Sequence, residues 1–581
     1  MHEFSVWAPY AQKMAVRIGE TKHPMICGAN GWWRVSLDVP WGTNYSFLID
    51  DDPTPYPDPR GLRQAEGVHG PSQLYNQKAY AWQDKLWQGP TLGGAVVYEI
   101  HVGTFTEAGT LDSAIERLPY LADLGVTHIE LMPIAEFPGA FGWGYDGVAL
   151  FAVTENYGGP DALKRFVDAC HQHCLAVILD VVYNHFGPVG NYANKFGPYL
   201  TSNHRTPWGD AVNFEEGGSD EVRRFFCDNA LMWMRDFHID GLRLDAVHEY
   251  MDRSAIHFME QLSSEVEILS STIGRRLVLI AESDLNDPRV ITPREAGGYG
   301  MDAQWSDDFH HSLFTVLHRN QAGMGYYDDF GAMKDLAKSL KEAFVYDGIY
   351  SSYRHRKHGR PAVRLSAHHF LGFIQNHDQI GNRAIGDRIE HIIGMPRSKV
   401  AAAIVLLAPF IPMLFQGEEY AADTPFQYFA DHDDPEMARA VSDGRKKDFA
   451  AFGWNPDEVP DPEKRETFDR SKLNWKEITE GKHAEMLDWT KKLIHLRRQS
   501  PSLNDGDLSH IRIEFDEEKR WLEMTRTDVR LVCNLGTETY RSKNPDRRSL
   551  VLKSTEAVEL TETQVVVPPD SVAILSNEPG A

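Results

Sequence analysis

A chain of 581 residues that is 42% hydrophobic and 11% aromatic can bury a large core and is long enough for roughly two to four domains. Its 59 lysines and arginines against 84 aspartates and glutamates leave a net charge of -25, which repels nucleic acid over most of the surface but leaves neutral partners such as sugars open. Five scattered cysteines, Cys27, Cys170, Cys174, Cys227 and Cys533, do not suit a disulfide framework, residues 1–7 carry no leader pattern, and the apolar run 401–410 is too short to span a bilayer, so a cytoplasmic protein with no membrane contact is expected.

Residues 4–86 read as all-β. Val16 and Ile18, then Trp33, Val35 and Leu37, then Tyr45 and Phe47 alternate with other residues, and Pro24, Gly28, Pro40 and Gly42 punctuate the runs. The pattern predicts an N-terminal β-sandwich over 1–88, with Trp7, Trp32 and Trp33 in its core and not stacked on a ligand. Gly89-Pro90-Thr91-Leu92-Gly93-Gly94 breaks all periodicity and sets the domain boundary.

From Val96 apolar strands alternate with helices. Eight strands are predicted at 96–102, 128–132, 176–182, 241–245, 277–281, 301–305, 370–374 and 412–415, with helices at 111–124, 161–174, 255–269, 330–343, 399–407 and 485–498. Eight such units call for an α/β fold, a (β/α)8 TIM barrel over 89–499 with long loop insertions, whose site lies on the loops at the carboxyl ends of the strands. Cys170-His171-Gln172-His173-Cys174 has the look of a metal site, but both cysteines continue a stripe with Leu163, Phe166 and Val167, so both thiols are expected in the core. After Ser500 alternation returns at Ile511, Ile513 and Phe515, and at Leu531, Cys533 and Leu535, predicting a C-terminal β-sandwich over 500–581.

The predicted strand tips carry the chemistry. The third ends in Asp180-Val181-Val182-Tyr183-Asn184-His185, the fourth at Asp245, the fifth at Glu282 and the seventh in Asn376-His377-Asp378. Arg243 precedes Asp245 by two residues and so shares its side of the strand, where it can keep that carboxylate charged and oriented, as suits a nucleophile. Cleaving a glycosidic bond needs one ionised and one protonated carboxyl about an oxocarbenium-like transition state, and Asp245, Glu282 and Asp378 in one mouth meet that need, with Glu282 the natural proton donor.

These segments, with Gly142-Trp143-Gly144-Tyr145-Asp146-Gly147, resemble the signature segments of the α-amylase family of retaining glycoside hydrolases and transferases, in the family's order and on its strands. The resemblance implies Asp245 as nucleophile, Glu282 as general acid/base and Asp378 as transition-state stabiliser. It implies a sugar subsite built from Tyr145, Asp146, His185, Arg243, His248 and His377. Asn184 corresponds to a calcium ligand in some members, but no aspartate-rich calcium loop is present, and neither a metal nor a cofactor is expected. A sandwich ahead of the barrel is shared by branching, debranching and trehalose-forming members. The stretches 180–190, 305–311, 417–420 and 424–432 are most similar to members that release trehalose from malto-oligosyltrehalose, a substrate supplied by a trehalose-forming synthase. On that reading the loop after the eighth strand, with Glu419, Tyr420 and Phe426, faces the leaving trehalose. A branching or debranching enzyme would use the same three carboxylates, whereas a non-catalytic glycan-binding protein would be expected to lack one of them.

Overall fold

The computed structural model describes residues 1–318, 325–451 and 454–577. At its centre Val97–Ile100, His128–Leu131, Ala176–Val181, Gly241–Leu244, Val278–Ala281, Ala303–Trp305, Phe370–Gly372 and Ile411–Phe415 pair in parallel and close into an eight-stranded barrel, the last strand bonding to the first. All eight predicted strands are therefore present. Nearly every residue in them is buried, because helices cover the outside and side chains fill the inside, and such strands read as apolar runs.

The interior is divided by height. Towards the amino ends Val97, Ile178, Ile280, Ala303, Leu371 and Met413 pack with Leu92 into a dry plug. Gly241 faces this plug, and a Cβ there would lie 2.5 Å from Val278, so the fourth strand needs its glycine for close packing. One rung higher the inward positions turn polar: Glu99, Glu130, Asp180 and Arg243 are all buried. Glu99 pairs with Glu130 and Asp180 with Arg243 in register, so charge collects just beneath the carboxyl ends.

The helices follow the prediction with physical corrections. The segment 111–124 is two helices, Leu111–Ile115 and Leu118–Leu124, because Pro119 cannot continue a ladder from the preceding turn. Helix Gly159–Gln172 stops before Cys174, which takes a left-handed φ of 59° and is exposed, so only Cys170 lies in the core. Three helices of more than ten residues are additional to those predicted, Ser219–Asp236, Asp307–Leu317 and Pro435–Ala451. The first buries Arg223 and Asn229 on its inner face and the second is buried almost all round, which erases the single apolar stripe.

Before the barrel, sheets of three and four strands face each other, with Phe4 and Val6 against Met14, Val16, Tyr45 and Phe47. Trp7 and Trp33 are buried and donate indole N–H bonds to the carbonyls of Asn30 and Ala8, whereas Trp32 is half-buried beneath the Arg60 guanidinium. After the barrel, sheets of five and three strands enclose Val532, Val565, Val567, Ala573 and Leu575. Among the described residues no helix is long and apolar enough to cross a membrane.

Two buried arginines meet at the joint between the barrel and the last domain, Arg497 from the last barrel helix and Arg526 from the last domain. Helix Met395–Leu407 ends with carbonyls that have no intrahelical donor, and Arg497 donates to those of Leu406, Ala408 and Phe410 while Arg526 donates to those of Leu407 and Ala408. Arg497→Met keeps the apolar stem but removes three donors, and a loss of ~2–4 kcal/mol is expected because buried carbonyls left unpaired cost about 1–3 kcal/mol each when unrelieved. Urea and thermal unfolding of the variant measure it. A loss below about 0.5 kcal/mol, the range of an ordinary surface substitution, would contradict this account of the joint.

Candidate active site

The site is built around Arg243, which is fully buried. Its Nη1 donates to Asp180 Oδ2 at 2.6 Å, to Asp245 Oδ1 at 2.8 Å and to the Tyr145 hydroxyl at 3.3 Å, while Nη2 lies 3.6 Å from Glu282 Oε2. The guanidinium rests 4.1 Å over the Trp305 ring, which covers it from below with a favourable aromatic face. The second oxygen of Asp245 accepts a 2.7 Å bond from the Asn184 amide. Both carboxylate oxygens of Asp245 are thus held, and its direction is fixed.

Glu282 stands beside it. Leu244 and Ala281 are register partners on neighbouring strands, so the next residues, Asp245 and Glu282, leave adjacent tips. Right after Asp245 the chain turns through Ala246 at φ 41°, a left-handed conformation unusual for alanine, and the Ala246 N–H donates to Glu282 Oε2, 2.5 Å away. Burial raises the Glu282 carboxyl to a pKa of about 7, with the Asp245 and Asp378 charges acting the same way and Arg243 and His248 opposing. His248 sits half-buried on the short helix Val247–Glu249.

Asp378 lies on helix His377–Gly381, whose first turn is capped by Asn376 Oδ1, accepting from the N–H groups of Asp378 and Gln379. It is the most open of the three carboxylates, its side chain 41% exposed against 11% for Asp245 and 16% for Glu282. His377 is buried beside it. Its Nδ1 lies 2.5 Å from Glu99 Oε1, its backbone N–H donates to Glu99 Oε2 at 3.0 Å, and its Nε2 lies 2.8 Å from the Tyr145 hydroxyl. The hydroxyl in turn donates to Asp180 Oδ2 at 2.5 Å. His185 is stacked on Trp208 at 4.7 Å and bonded to the Asn184 carbonyl oxygen, and burial lowers its pKa, against the pull of Asp245 and Asp146. Asp146 lies 3.7 Å from His432, and burial raises its carboxyl.

Glu282 and Asp378 open onto a cleft of about 820 Å³, lined further by Asp284, Asp307, Tyr326, Tyr353, Arg354 and Trp454. The structure therefore brings together Tyr145, His185, Arg243, Asp245, Glu282, His377 and Asp378, with Asp146 and His248 at the edge. It does not bring Glu419, Tyr420 or Phe426 to the mouth. Glu419 is fully buried and accepts from the hydroxyls of Tyr98 and Tyr120 at 2.9 and 2.8 Å. Tyr420 packs against Trp475 and His483, and Phe426 stacks on Trp143. This loop is scaffold: with the bond from Trp143 Nε1 to the Gln427 carbonyl it clamps the indole, against which Gly381 of the Asp378 helix packs so closely that a Cβ would sit 2.0 Å from the ring. The acid and the aromatics found partners inside the protein, which composition alone does not disclose.

Sequence reasoning passed over Glu99, Trp208, Tyr326, Tyr353 and Trp454. The signal for Glu99 was available, since a charged residue inside an otherwise apolar strand requires a partner in the barrel. Among the described residues Asp423, Glu477 and His483 are spaced as metal ligands would be, but Lys482 Nζ already lies 2.5 Å from Asp423, and the group is remote from the mouth. Asn184 gives its amide to Asp245 and its carbonyl oxygen to His185, so both ends are occupied by site residues.

Comparison with known proteins places this geometry. The family description "Alpha amylase, catalytic domain" matches residues 84–206, and a domain of unknown function (DUF3459) matches residues 506–574. The chain is 47% identical over 585 residues to a malto-oligosyltrehalose trehalohydrolase of Rhizobium sp. (strain M-11), covering 98% of this chain and 97% of that one. It is 44% identical over 498 residues to the enzyme of the same name from Saccharolobus solfataricus, covering 85% of each. A crystal structure of a Salmonella typhimurium chain provisionally named an alpha amylase superposes with a TM-score of 0.90 at 36% identity, over 99% of this chain and 97% of that one.

Proposed function

The chain belongs to the malto-oligosyltrehalose trehalohydrolases of the α-amylase family, and on that premise we propose how its site cuts the α-1,4 bond beside the terminal trehalose of malto-oligosyltrehalose. It is a glycoside hydrolase. Asp245 attacks the anomeric carbon while the Glu282 proton passes to the glycosidic oxygen, so that trehalose leaves and a glycosyl ester forms on Asp245. Water then gives its proton to the Glu282 carboxylate and attacks the same carbon, the ester bond to Asp245 breaks, and configuration is retained overall. The observation that carries the reading is the unequal treatment of two neighbouring carboxyls: Asp245 has both oxygens held by Arg243 and Asn184, whereas Glu282, raised to about 7, can hold a proton near neutrality. Tyr145, His185 and His377 bind the sugar whose bond breaks, and Asp378, the most open carboxylate, binds its hydroxyls.

Trehalose joins two glucoses through both anomeric carbons, so the leaving group is a kinked disaccharide with no reducing end. The cleft beyond Glu282 suits it better than the loop after the eighth strand, because Tyr326, Tyr353 and Trp454 supply ring faces there and Asp284, Asp307 and Arg354 supply hydrogen bonds. The substrate would come from a trehalose-forming synthase. Cytoplasmic residence fits the five free cysteines.

The pH dependence has a definite sign. A general acid works in its protonated form, whose fraction falls as pH rises through the Glu282 pKa, so kcat/KM should decline above pH of about 7. Glu282→Gln should abolish that limb and lower the rate by at least ~10²–10⁴-fold, with the first step partly spared for a leaving group that needs no proton. Stopped-flow and steady-state profiles of both proteins check it; equal slowing of both substrates would remove Glu282 from the role of acid. Product chromatography tests specificity. Free trehalose should appear from malto-oligosyltrehalose far faster than any product from a plain malto-oligosaccharide of equal length, and Tyr353→Ala should narrow that preference before hydrolysis is lost. New α-1,6 branches on amylose, or equal rates on the two substrates, would leave only the wider family assignment.

A further inference from the structure

The hydrogen bonds around His377 give a role to a residue outside the catalytic carboxylates. We propose that Glu99 is a positioning residue: it keeps His377 an imidazolium, and the imidazolium in turn fixes the direction of the Tyr145 hydroxyl in the sugar pocket.

The Tyr145 hydroxyl has one proton. It lies 2.5 Å from Asp180 Oδ2, whose carboxyl burial raises to about 6 against the opposing Arg243 charge, so above that pH it has no proton to offer and the hydroxyl donates there. Its oxygen can then only accept from His377 Nε2 at 2.8 Å, and Nε2 must carry a hydrogen. At the other edge of the ring Nδ1 faces Glu99 Oε1 at 2.5 Å, and a carboxylate only accepts, so Nδ1 must carry one as well. A ring with both nitrogens protonated is a cation. Glu99 grips it twice, since its second oxygen takes the His377 backbone N–H, and this sets the ring plane as well as its charge.

The surrounding groups agree. Glu130 is the register partner of Glu99, and two adjacent buried carboxyls cannot both be ionised cheaply. Glu130 has no hydrogen-bond partner and burial raises its carboxyl well above the ordinary range, whereas both Glu99 oxygens face His377 nitrogens. His101 on the same side is held neutral, lowered by burial to about 4 and bonded to the Gly142 carbonyl. Arg243 disfavours a second cation and Asp378, 3.5 Å from Nε2, favours it. Burial by itself lowers His377, yet Glu99 and Asp378 carry it up to about 9. The result is a line of alternating charge through the barrel mouth, Glu99, His377, Asp180, Arg243 and Asp245, with Tyr145 as its neutral link. Without the charge on Glu99 the ring would become neutral at Nε2, take the Tyr145 proton for itself, and remove a donor from Asp180.

Histidine-ring ¹⁵N spectra test the protonation directly, with the resonance assigned by its loss in H377N. In the wild type both ring nitrogens should stay protonated at pH 8, and in E99Q the ring should be neutral at that pH. E99Q should also lose at least on the order of 10-fold in kcat, with KM changed less, while circular dichroism of the folded protein is unchanged. A neutral His377 in the wild type at pH 7 overturns the proposal without any variant, and so does an E99Q ring that remains doubly protonated. The effect on turnover rests on the trehalohydrolase reading, but the ring spectra do not. An imidazolium lost in E99Q supports the assignment even if no α-glucan is hydrolysed, in which case only the functional reading falls.

Discussion

The guanidinium of Arg243 is a full charge with no access to water, and a buried cation is stable only if oxygen atoms replace its hydration. Asp180 and Asp245 supply them on one edge, Trp305 covers a face, and Glu282 stands within 3.6 Å of the other edge. Much of the local architecture answers this constraint. The third, fourth and fifth strands must lie side by side so that their tips deliver carboxyls to one cation, and the parallel register of the closed barrel does this. The cation also separates the two working acids, since it contacts Asp245 at hydrogen-bond distance and Glu282 only at longer range.

That asymmetry gives the chemistry its direction. A pair of carboxyls equally close to Arg243 would share its influence, whereas here Asp245 also takes the Asn184 amide and Glu282 takes a single backbone N–H. The turn at Ala246 links the two, because the left-handed residue that follows the fourth strand also donates its N–H to the neighbouring acid. Around this pair the Glu99 to Asp245 line alternates in sign, so that each buried charge has an opposite neighbour.

How much of this was legible in the sequence depends on the kind of contact. Parallel strands buried on both faces appear as apolar runs, so every barrel strand could be placed, and the acidic residues at or just past the ends of four runs marked the mouth: Asp180, Asp245, Glu282 and Asp378. Alternation along a strand gave the pairing of Arg243 with Asp245. Features that depend on packing between distant segments were not legible. Glu99 and Glu130 lie inside apolar runs, and only the closed barrel shows that they face His377 and each other. Tyr326, Tyr353 and Trp454 belong to irregular segments with no period to read. The loop holding Glu419, Tyr420 and Phe426 was misplaced for the opposite reason, since its composition suits a sugar pocket as well as it suits a core, and Tyr98, Tyr120 and Trp143 decide the matter by occupying its polar and aromatic groups.

The central claim, that Asp245 forms the bond to the sugar and Glu282 moves the proton, can be tested by trapping the covalent intermediate. Glu282→Gln slows the second step by removing the base, while an α-malto-oligosyl fluoride, whose leaving group needs no acid, still allows the first step. Peptide mass mapping of the protein quenched during turnover should find one glycosyl unit esterified to Asp245. An adduct on any other side chain, or β-configured sugar as the first product released by the wild-type enzyme, would contradict the account.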